Sequence, residues 1–151
     1  MSDANSLPKP LPKPNSVTAP FWEACAAGRF TFQHCCACGH GQFPPRVSCT
    51  ACHDTALDWR TASGRGTVYS ATVVHRAPIE AFKADVPYVL AIVELEEGVR
   101  AMMNVRTDDP EAVTIGLPVE IFFEPAADGP PLPQARPLAQ PFARPLAGTE
   151  A

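Results

Sequence analysis

The sequence lacks any long apolar run. No stretch approaches the roughly 20 consecutive apolar residues that a membrane-spanning helix needs. The first residues alternate lysine with proline and contain no apolar stretch of the kind found in secretory signal peptides. We therefore expect a cytoplasmic protein, in which cysteines remain reduced.

Basic residues are also scarce. The chain has 12 Lys and Arg against 16 Asp and Glu, a formal charge of −4. Residues 21–125 alone carry 8 basic and 13 acidic side chains. This acidic balance lacks the electrostatic footprint of a general nucleic-acid binder, and it favours a protein partner or a small molecule.

No catalytic constellation is visible in the sequence. Ser70 and His75 are an odd number of residues apart on one expected strand, so their side chains point to opposite faces. No acid is spaced to complete a triad with them. His75 and Arg76, like Phe82 and Lys83 in the following loop, either line a ligand site or are solvated loop residues.

Prolines are abundant but unevenly placed. Of 18 prolines, five lie in residues 1–20 and six in residues 126–151. Proline lacks an amide donor and disrupts helices and sheet interiors. We therefore expect proline-rich tails over residues 1–17 and 126–151 that are extended or disordered. The remaining central part is expected to pack as one small unit.

Five of the six cysteines lie within 18 residues. Cys35, Cys38, Cys49 and Cys52 form two C-x2-C pairs with ten residues between them. A tetrahedral Zn²⁺ accepts four thiolates, and each C-x2-C turn supplies two of them from one short loop. The spacing predicts a zinc ribbon with one structural zinc. Because catalytic zinc keeps an open position, a site closed by four cysteines folds the chain rather than doing chemistry.

Other interpretations of the cysteines are weaker. A disulfide framework would be expected in a secreted chain, and a redox Cys-x-x-Cys would need a strand-helix-strand unit around it. Cys36 would impose a tight C-x-C bite and is predicted to be a bystander, while Cys25 is predicted to be a small buried group. The three histidines near the ligands are predicted to be exposed loop residues: His34, His40 and His53.

Residues 18–28 predict a helix that precedes the zinc ribbon. Thr18 is placed to act as the N-cap, and Gly28 is placed to end the helix. Phe21 and Trp22 either pack on their own domain or anchor another subunit. The sequence leaves both interpretations open.

Two short strands are expected to hold the cysteine loops. Residues 29–33 alternate phenylalanine with polar residues, and residues 42–46 carry paired prolines that keep the return strand short and at an edge. Phe43 and Arg46 are then exposed beside the zinc, where a ring and a guanidinium suit a nucleotide-containing ligand or a partner chain. Alternatively, Phe43 covers the metal.

From residue 57 the apolar pattern has a period of two. Turn signals such as SGRG, EEG and IG separate five strand-like runs, which are residues 57–61, 66–75, 87–95, 98–105 and 118–123. Together they predict a mainly β chain, with a helix and zinc ribbon over residues 18–56 and a five-stranded OB-fold barrel over residues 57–125. A five-stranded sandwich would give much the same pattern.

These motifs resemble a known family, the bacterial and archaeal proteins in which a helix and a rubredoxin-like zinc ribbon precede an OB fold (domain of unknown function 35). The resemblance rests on FPPR between the two C-x2-C pairs, GRGTVYS after a tryptophan, and the closing IGLPVEIFFE. It covers most of residues 20–124. The extra Cys36 and the long C-terminal tail are peculiar to this chain or variable.

The resemblance implies a non-catalytic accessory subunit of an acyl-CoA thiolase, acyltransferase or aldolase complex. Such a subunit docks on a thiolase-like catalytic partner and helps to form the CoA site. A MaoC-type enoyl-CoA hydratase is the alternative partner, and an OB-fold binder of single-stranded nucleic acid is the alternative class.

The same resemblance suggests which residues contact ligand and partner. An adenine ring favours an aromatic or guanidinium face, and phosphates favour cations. The candidate CoA-binding residues are accordingly Phe43, Arg46, His75, Arg76 and Lys83. Phe21 and Trp22 are the candidates for the partner interface.

Overall fold

The computed structural model describes residues 7–138, and residues 1–6 and 139–151 of the two expected tails lie outside the described residues. The described chain is mainly β, as predicted, with a helix, a zinc-ribbon sheet and a closed barrel. The elements are α1 (Ala19–Ala26), β1 (Thr31–Cys35), β2 (Gly41–Gln42), β3 (Leu57–Thr61), β4 (Arg65–Val74), β5 (Tyr88–Leu95), β6 (Arg100–Val105), β7 (Pro118–Ala126) and β8 (Gly129–Pro137). Within this part of the chain, no helix has the length and apolarity that crossing a membrane requires.

The start of α1 is stabilised by a residue that the sequence analysis overlooked. The helix begins after Thr18, as predicted, but the Thr18 side chain accepts no capping hydrogen bond from it. Instead, Oδ1 of Asn15 accepts the backbone N–H of Val17 at 2.9 Å and of Thr18 at 3.0 Å. Gly28, with φ of +78°, follows the helix in the left-handed region that glycine adopts at low cost.

Four aromatic rings fasten α1 to the ribbon; we call Phe21, Trp22, Phe30 and Phe43 the aromatic cluster. The ring centroid of Phe21 lies 4.9 Å from Trp22, 5.3 Å from Phe30 and 5.1 Å from Phe43. Phe21 is only 3% exposed, which favours the first of the two interpretations, packing on its own domain. Its ring is used to join the helix to its own domain, and Trp22 remains half-buried at the edge of the cluster.

The barrel has the strand order β4-β5-β6-β8-β7. Its neighbours are antiparallel except for β6 and β8, which meet in parallel at Val105 and Ala135. β4 is the longest strand, and it pairs with β5 along most of its length and with β7 at its first residues. One curved strand thereby reaches both neighbours, which is how a five-stranded OB barrel closes. The interior is filled by small branched side chains such as Val68, Val93 and Val119.

The identity of the fifth barrel strand differs from the prediction. Residues 57–61 were expected in the barrel, but β3 pairs with β1 in the ribbon sheet, with Trp59 opposite Gln33. The fifth strand is β8, which lies in the tail expected over residues 126–151. β8 pairs with β7 along most of its length but with β6 only at Ala135. Most of its residues therefore have no strand on the β6 side, and a proline there leaves no ladder hydrogen bond unmade.

The N-terminal segment also lies against the barrel; we call residues 7–11 the N-terminal strap. Nζ of Lys9 forms an ion pair with Oδ2 of Asp85 at 2.6 Å and lies 5.7 Å from the centre of the Phe82 ring. Leu11 packs so close to Gly129 that a Cβ added there would meet its side chain at 3.3 Å. The strap has no regular secondary structure, as its prolines predict, yet it is fixed to the start of β8 and to the loop before β5.

Candidate functional site

The two cysteine loops have the same backbone geometry. In the first loop the amide of Gly39 donates to the carbonyl oxygen of Cys35 at 2.9 Å, and in the second the amide of His53 donates to that of Cys49 at 2.9 Å. Gly39 has φ of +82° and His53 has φ of +69°. Each loop therefore turns back through a left-handed residue, which brings its two cysteines to the same side.

The four predicted ligands converge on one point. The sulfur atoms of Cys35, Cys38, Cys49 and Cys52 all lie within 4.8 Å of one another. The Cys35 and Cys52 sulfurs are 3.6 Å apart, and the Cys38 and Cys49 sulfurs are 3.7 Å apart. Since a Zn–S bond is about 2.3 Å, a tetrahedron of four sulfurs has edges of roughly 3.8 Å. The residues present therefore fit one zinc ion with a closed shell.

Backbone amides support the sulfur of Cys49 as a thiolate. Sγ of Cys49 lies 3.5 Å from the amide nitrogen of Cys52 and 3.3 Å from that of Ala51. These N–H donors, first that of Cys52 and then that of Ala51, lower the pKa of Cys49 to about 6. Because zinc binds the thiolate, such amide donors are the usual support of a four-cysteine site.

The neighbouring cysteines and histidines are not part of this ligand set. Cys36 is exposed, and Cys25 is fully buried, where desolvation raises its pKa to about 12. Nε2 of His40 is hydrogen-bonded to the Thr50 hydroxyl at 3.1 Å. Nδ1 of His34 lies 3.4 Å from Oδ1 of Asp58.

A pair of buried glutamines fixes the segment between the two cysteine loops, and sequence reasoning missed it. Nε2 of Gln42 donates to Oε1 of Gln33 at 2.8 Å. The same Gln33 amide exchanges hydrogen bonds with the backbone of Arg46, and Oε1 of Gln42 accepts the amide of Thr50 at 2.8 Å. The sequence shows two glutamines in short strands next to the ligands. Their hydrogen-bond partners depend on the register of the strands, which the sequence alone does not give.

Two of the five CoA candidates line one groove, which has a volume of about 260 Å³. Phe43 and Arg46 enter it from the ribbon, and Val99 and Arg100 enter it from the barrel. Phe43 does not stand free, since its ring packs on the aromatic cluster at 5.0 Å from Phe30. Arg46 is exposed.

The other three candidates lie at the opposite end of the barrel. At one end of β5, Glu94 pairs with Arg100, which lines the groove. At the other end, Tyr88 pairs with Val74, the last residue of β4, and His75 follows it. Six residues of strand separate those two ends, about 20 Å at 3.3 Å per residue. There His75 lies 4.0 Å from Glu111, and Lys83 forms an ion pair with Glu80 at 3.0 Å. His75, Arg76 and Lys83 therefore do not join the groove of Phe43 and Arg46.

Three apolar side chains lie on the outside of β4, β5 and β6, and we call them, Tyr69, Ile92 and Met102, the outer face; Ile92 is half-buried. Met102 is 68% exposed and Tyr69 is 46% exposed. The guanidinium of Arg100 lies 3.7 Å from the centre of the Tyr69 ring and pairs with Glu94 at 3.0 Å. The signal in the sequence is the run PYVLAIVEL over residues 87–95, which is apolar on both faces of the strand.

The arginines of the barrel strands are paired with acidic side chains. The pairs and their distances are Arg65 with Glu96 at 3.8 Å, Arg100 with Glu94 at 3.0 Å, Arg106 with Glu124 at 2.7 Å and Arg136 with Glu120 at 2.8 Å. A surface that tracks a nucleic-acid backbone needs cations available to phosphate. The described barrel strands do not offer such a row.

Two family models match the chain in succession. The model described as "ChsH2, rubredoxin-like zinc ribbon domain" matches residues 22–58. The model described as "ChsH2, C-terminal OB-fold domain" matches residues 59–124. Their boundary falls within β3, the strand by which the ribbon sheet leads into the barrel.

Three similar proteins show how far the likeness extends. A "DUF35 domain-containing scaffold protein" from Methanothermobacter thermautotrophicus is 39% identical over 94 residues, which are 62% of this chain and 70% of that protein. A "Probable enoyl-CoA hydratase alpha subunit" from Thermomonospora curvata is 38% identical over 131 residues, and this chain spans only 40% of its length. A solved structure called "Ltp2-ChsH2(DUF35) aldolase" is 37% identical with a TM-score of 0.75, covering 84% of this chain and 98% of the matched one.

The same family is indicated by the order of the two matched domains, by the four-cysteine site and by the extent of the likenesses. This chain belongs to the DUF35 scaffold-protein family, with a zinc ribbon that carries a four-cysteine site for structural zinc followed by an OB-fold barrel.

Proposed function

We propose that this protein is a non-catalytic accessory subunit that docks on a thiolase-like catalytic subunit of an acyl-CoA processing complex. The observation that carries the proposal is the likeness to the Ltp2-ChsH2(DUF35) aldolase, which spans 98% of the matched chain. The name of that aldolase joins a DUF35 chain to a second component. A protein of this shape is therefore expected to work as one part of an assembly.

The chemistry of the described residues supports a non-catalytic role. Four sulfurs close the zinc site and leave no position at which a substrate or a water could bind the metal. Among the described residues, His75 pairs with Glu111 at 4.0 Å, and no side-chain hydrogen bond joins it to Ser70, so the three groups do not form a triad. The bond-making groups are then supplied by the partner subunit.

The outer face supports docking. Single exposed apolar side chains are common, but a patch of several on one sheet is typical of a protein interface. Tyr69, Ile92 and Met102 come from three adjacent strands, so they form one surface rather than scattered residues. Arg100, stacked on Tyr69, adds a polar rim of the kind that surrounds such surfaces.

The groove between ribbon and barrel is the proposed contact with CoA. Phe43 offers a half-buried ring for adenine, and Arg46, which is exposed, offers a guanidinium group for phosphate oxygens. His75, Arg76 and Lys83 remain candidates only for a different part of the ligand or of the partner's site, because they lie at the far end of β4.

A MaoC-type hydratase is the second candidate partner. It is favoured by the Thermomonospora curvata relative, whose name is that of an enoyl-CoA hydratase alpha subunit and which matches 85% of this chain. This chain spans 40% of the length of that relative.

Native co-purification distinguishes these possibilities. We expect an affinity-tagged chain, isolated from its own cells at moderate salt, to bring down a thiolase-like protein in a fixed ratio, as identified by mass spectrometry. Recovery of a hydratase subunit instead would establish the second candidate. The accessory role is refuted if the zinc-loaded chain alone catalyses thiolysis, aldol cleavage or hydration, or if it is isolated without any partner.

A further inference from the structure

A second, larger cavity lies at the end of the barrel away from the CoA groove. Its volume is about 750 Å³, within the 300–1,000 Å³ range of small-molecule pockets. It is enclosed by the N-terminal strap, the loop between β4 and β5, and the turn between β7 and β8, with β5 and β6 as its floor. None of the CoA candidates is among its lining residues.

The position of this cavity corresponds to the binding face of the OB fold. In such barrels ligands lie across the second and third strands, between the loop after the first strand and the loop after the fourth. The corresponding elements here are β5 and β6, the segment between β4 and β5, and the turn between β7 and β8. The fold therefore places a ligand-binding cleft here, and the strap deepens it into a pocket that stays partly open to solvent.

The lining is mainly apolar. Tyr88 and Leu90 form part of the floor, and Phe82, Leu11 and Leu132 contribute to the sides. Burial of such side chains against an apolar ligand contributes roughly 25 cal/mol per Å² of surface removed from water. A ligand that fills the pocket with hydrocarbon is thus favoured.

The charges of the lining are already paired with each other. Lys9 is held by Asp85 at 2.6 Å, and Arg106 forms two hydrogen bonds with Glu124, at 2.7 and 3.0 Å. Asp128 adds one more carboxylate. An anionic ligand would have to break an ion pair and then face three carboxylates. A neutral ligand meets no such penalty, and the amides of Asn104 and Gln134 offer it uncharged hydrogen-bonding groups.

We propose that this pocket binds an uncharged, mainly apolar small molecule and that the N-terminal strap forms its removable wall. The strap is joined to the loop before β5 through Lys9 and Asp85, a partly exposed ion pair. Exposed pairs contribute at most about 1 kcal/mol, so this contact opposes opening of the wall only weakly. This proposal does not depend on the proposed acyl-CoA role.

The test uses the full-length, zinc-loaded chain and the neutral fluorescent dye Nile red. We expect saturable binding that 1-decanol displaces at least ten times more effectively than decanoate at pH 8, where decanoate is ionised. Ala81→Trp, which fills the pocket from the Glu80–Asp85 turn, should abolish binding. Ala112→Trp, on the exposed Pro110–Ala112 turn, is the matched control and should bind normally.

A second pair of variants tests the strap. Lys9→Glu places like charges beside Asp85 and should weaken dye binding by about fivefold, the upper value expected for a partly exposed pair. Lys13→Glu, at an exposed position outside the pocket lining, should leave dye binding unchanged.

Three outcomes would each overturn the proposal: absence of dye binding, equal competition by decanoate and decanol, or undiminished binding by Ala81→Trp.

Discussion

The amide of Arg106 at the end of β6 donates to the carbonyl oxygen of Ala135 in β8 at 2.7 Å. Ala135 is completely buried and also pairs with Ile121 of β7. A single residue of the proline-rich tail thus links both strands that the barrel must join in order to close.

The first prediction follows from that closure. A chain ending at Asp128 should lose cooperative unfolding, because the buried Gln134 and Ala135 would be absent from the wall of the barrel. A chain ending at Leu138, which keeps β8 complete, should retain one cooperative unfolding transition, as measured by circular dichroism. Equal melting temperatures for the two truncations would contradict the role of β8.

Gly66 provides the second prediction. A Cβ at this position would collide with the carbonyl oxygen of Glu94 in the neighbouring strand, and backbone cannot move aside as a side chain can. We expect Gly66→Ala to lower the free energy of unfolding by about 2 kcal/mol, within the usual range for overpacking. Urea denaturation measures this.

The matched control is Gly129→Ala. Its new Cβ would meet only the flexible side chain of Leu11, at 3.3 Å, and we expect a change below about 0.5 kcal/mol. If both alanine variants were equally stable, the close approach of β4 and β5 at Gly66 would be refuted. The closeness of the Glu94 carbonyl oxygen also explains why the second glycine of GRGTVYS, Gly66, has no side chain.

The sequence predicted the metal site well because metal ligation is local. Two C-x2-C pairs determine the chemistry of their loops regardless of the rest of the fold. The barrel was predicted less fully, since strand periodicity does not say which sheet a strand joins. Residues 57–61 have the right pattern for either sheet, and only pairing with β1 assigns them to the ribbon.

Two further differences have definite physical causes. β8 was missed because prolines exclude a strand from a sheet interior, yet an edge with one open side accepts them. Phe21 was considered for a partner interface because ten residues of sequence cannot show that three other rings surround it. Both differences concern long-range contacts, which a sequence pattern does not encode.

The third prediction concerns zinc. Cys38→Ser should reduce bound zinc from one equivalent to less than about one tenth and unfold the ribbon, since structural zinc contributes on the order of 10 kcal/mol to folding. Cys36→Ser should retain full zinc content, because Cys36 is outside the set of converging sulfurs. Metal analysis of both proteins purified under reducing conditions tests this. Zinc loss in Cys36→Ser would assign it as a ligand.

The last prediction tests the outer face as the docking surface. Met102→Glu places a charge at an exposed side chain, so the isolated chain should keep its melting temperature, whereas burial of that charge in an interface would be costly. We expect the co-purified partner to be reduced at least tenfold. Ile115→Glu, at a residue 76% exposed and outside the outer face, is the control and should recover the partner normally. Equal recovery with both variants would show that the partner binds elsewhere, and Trp22 at the edge of the aromatic cluster would then be the next position to test.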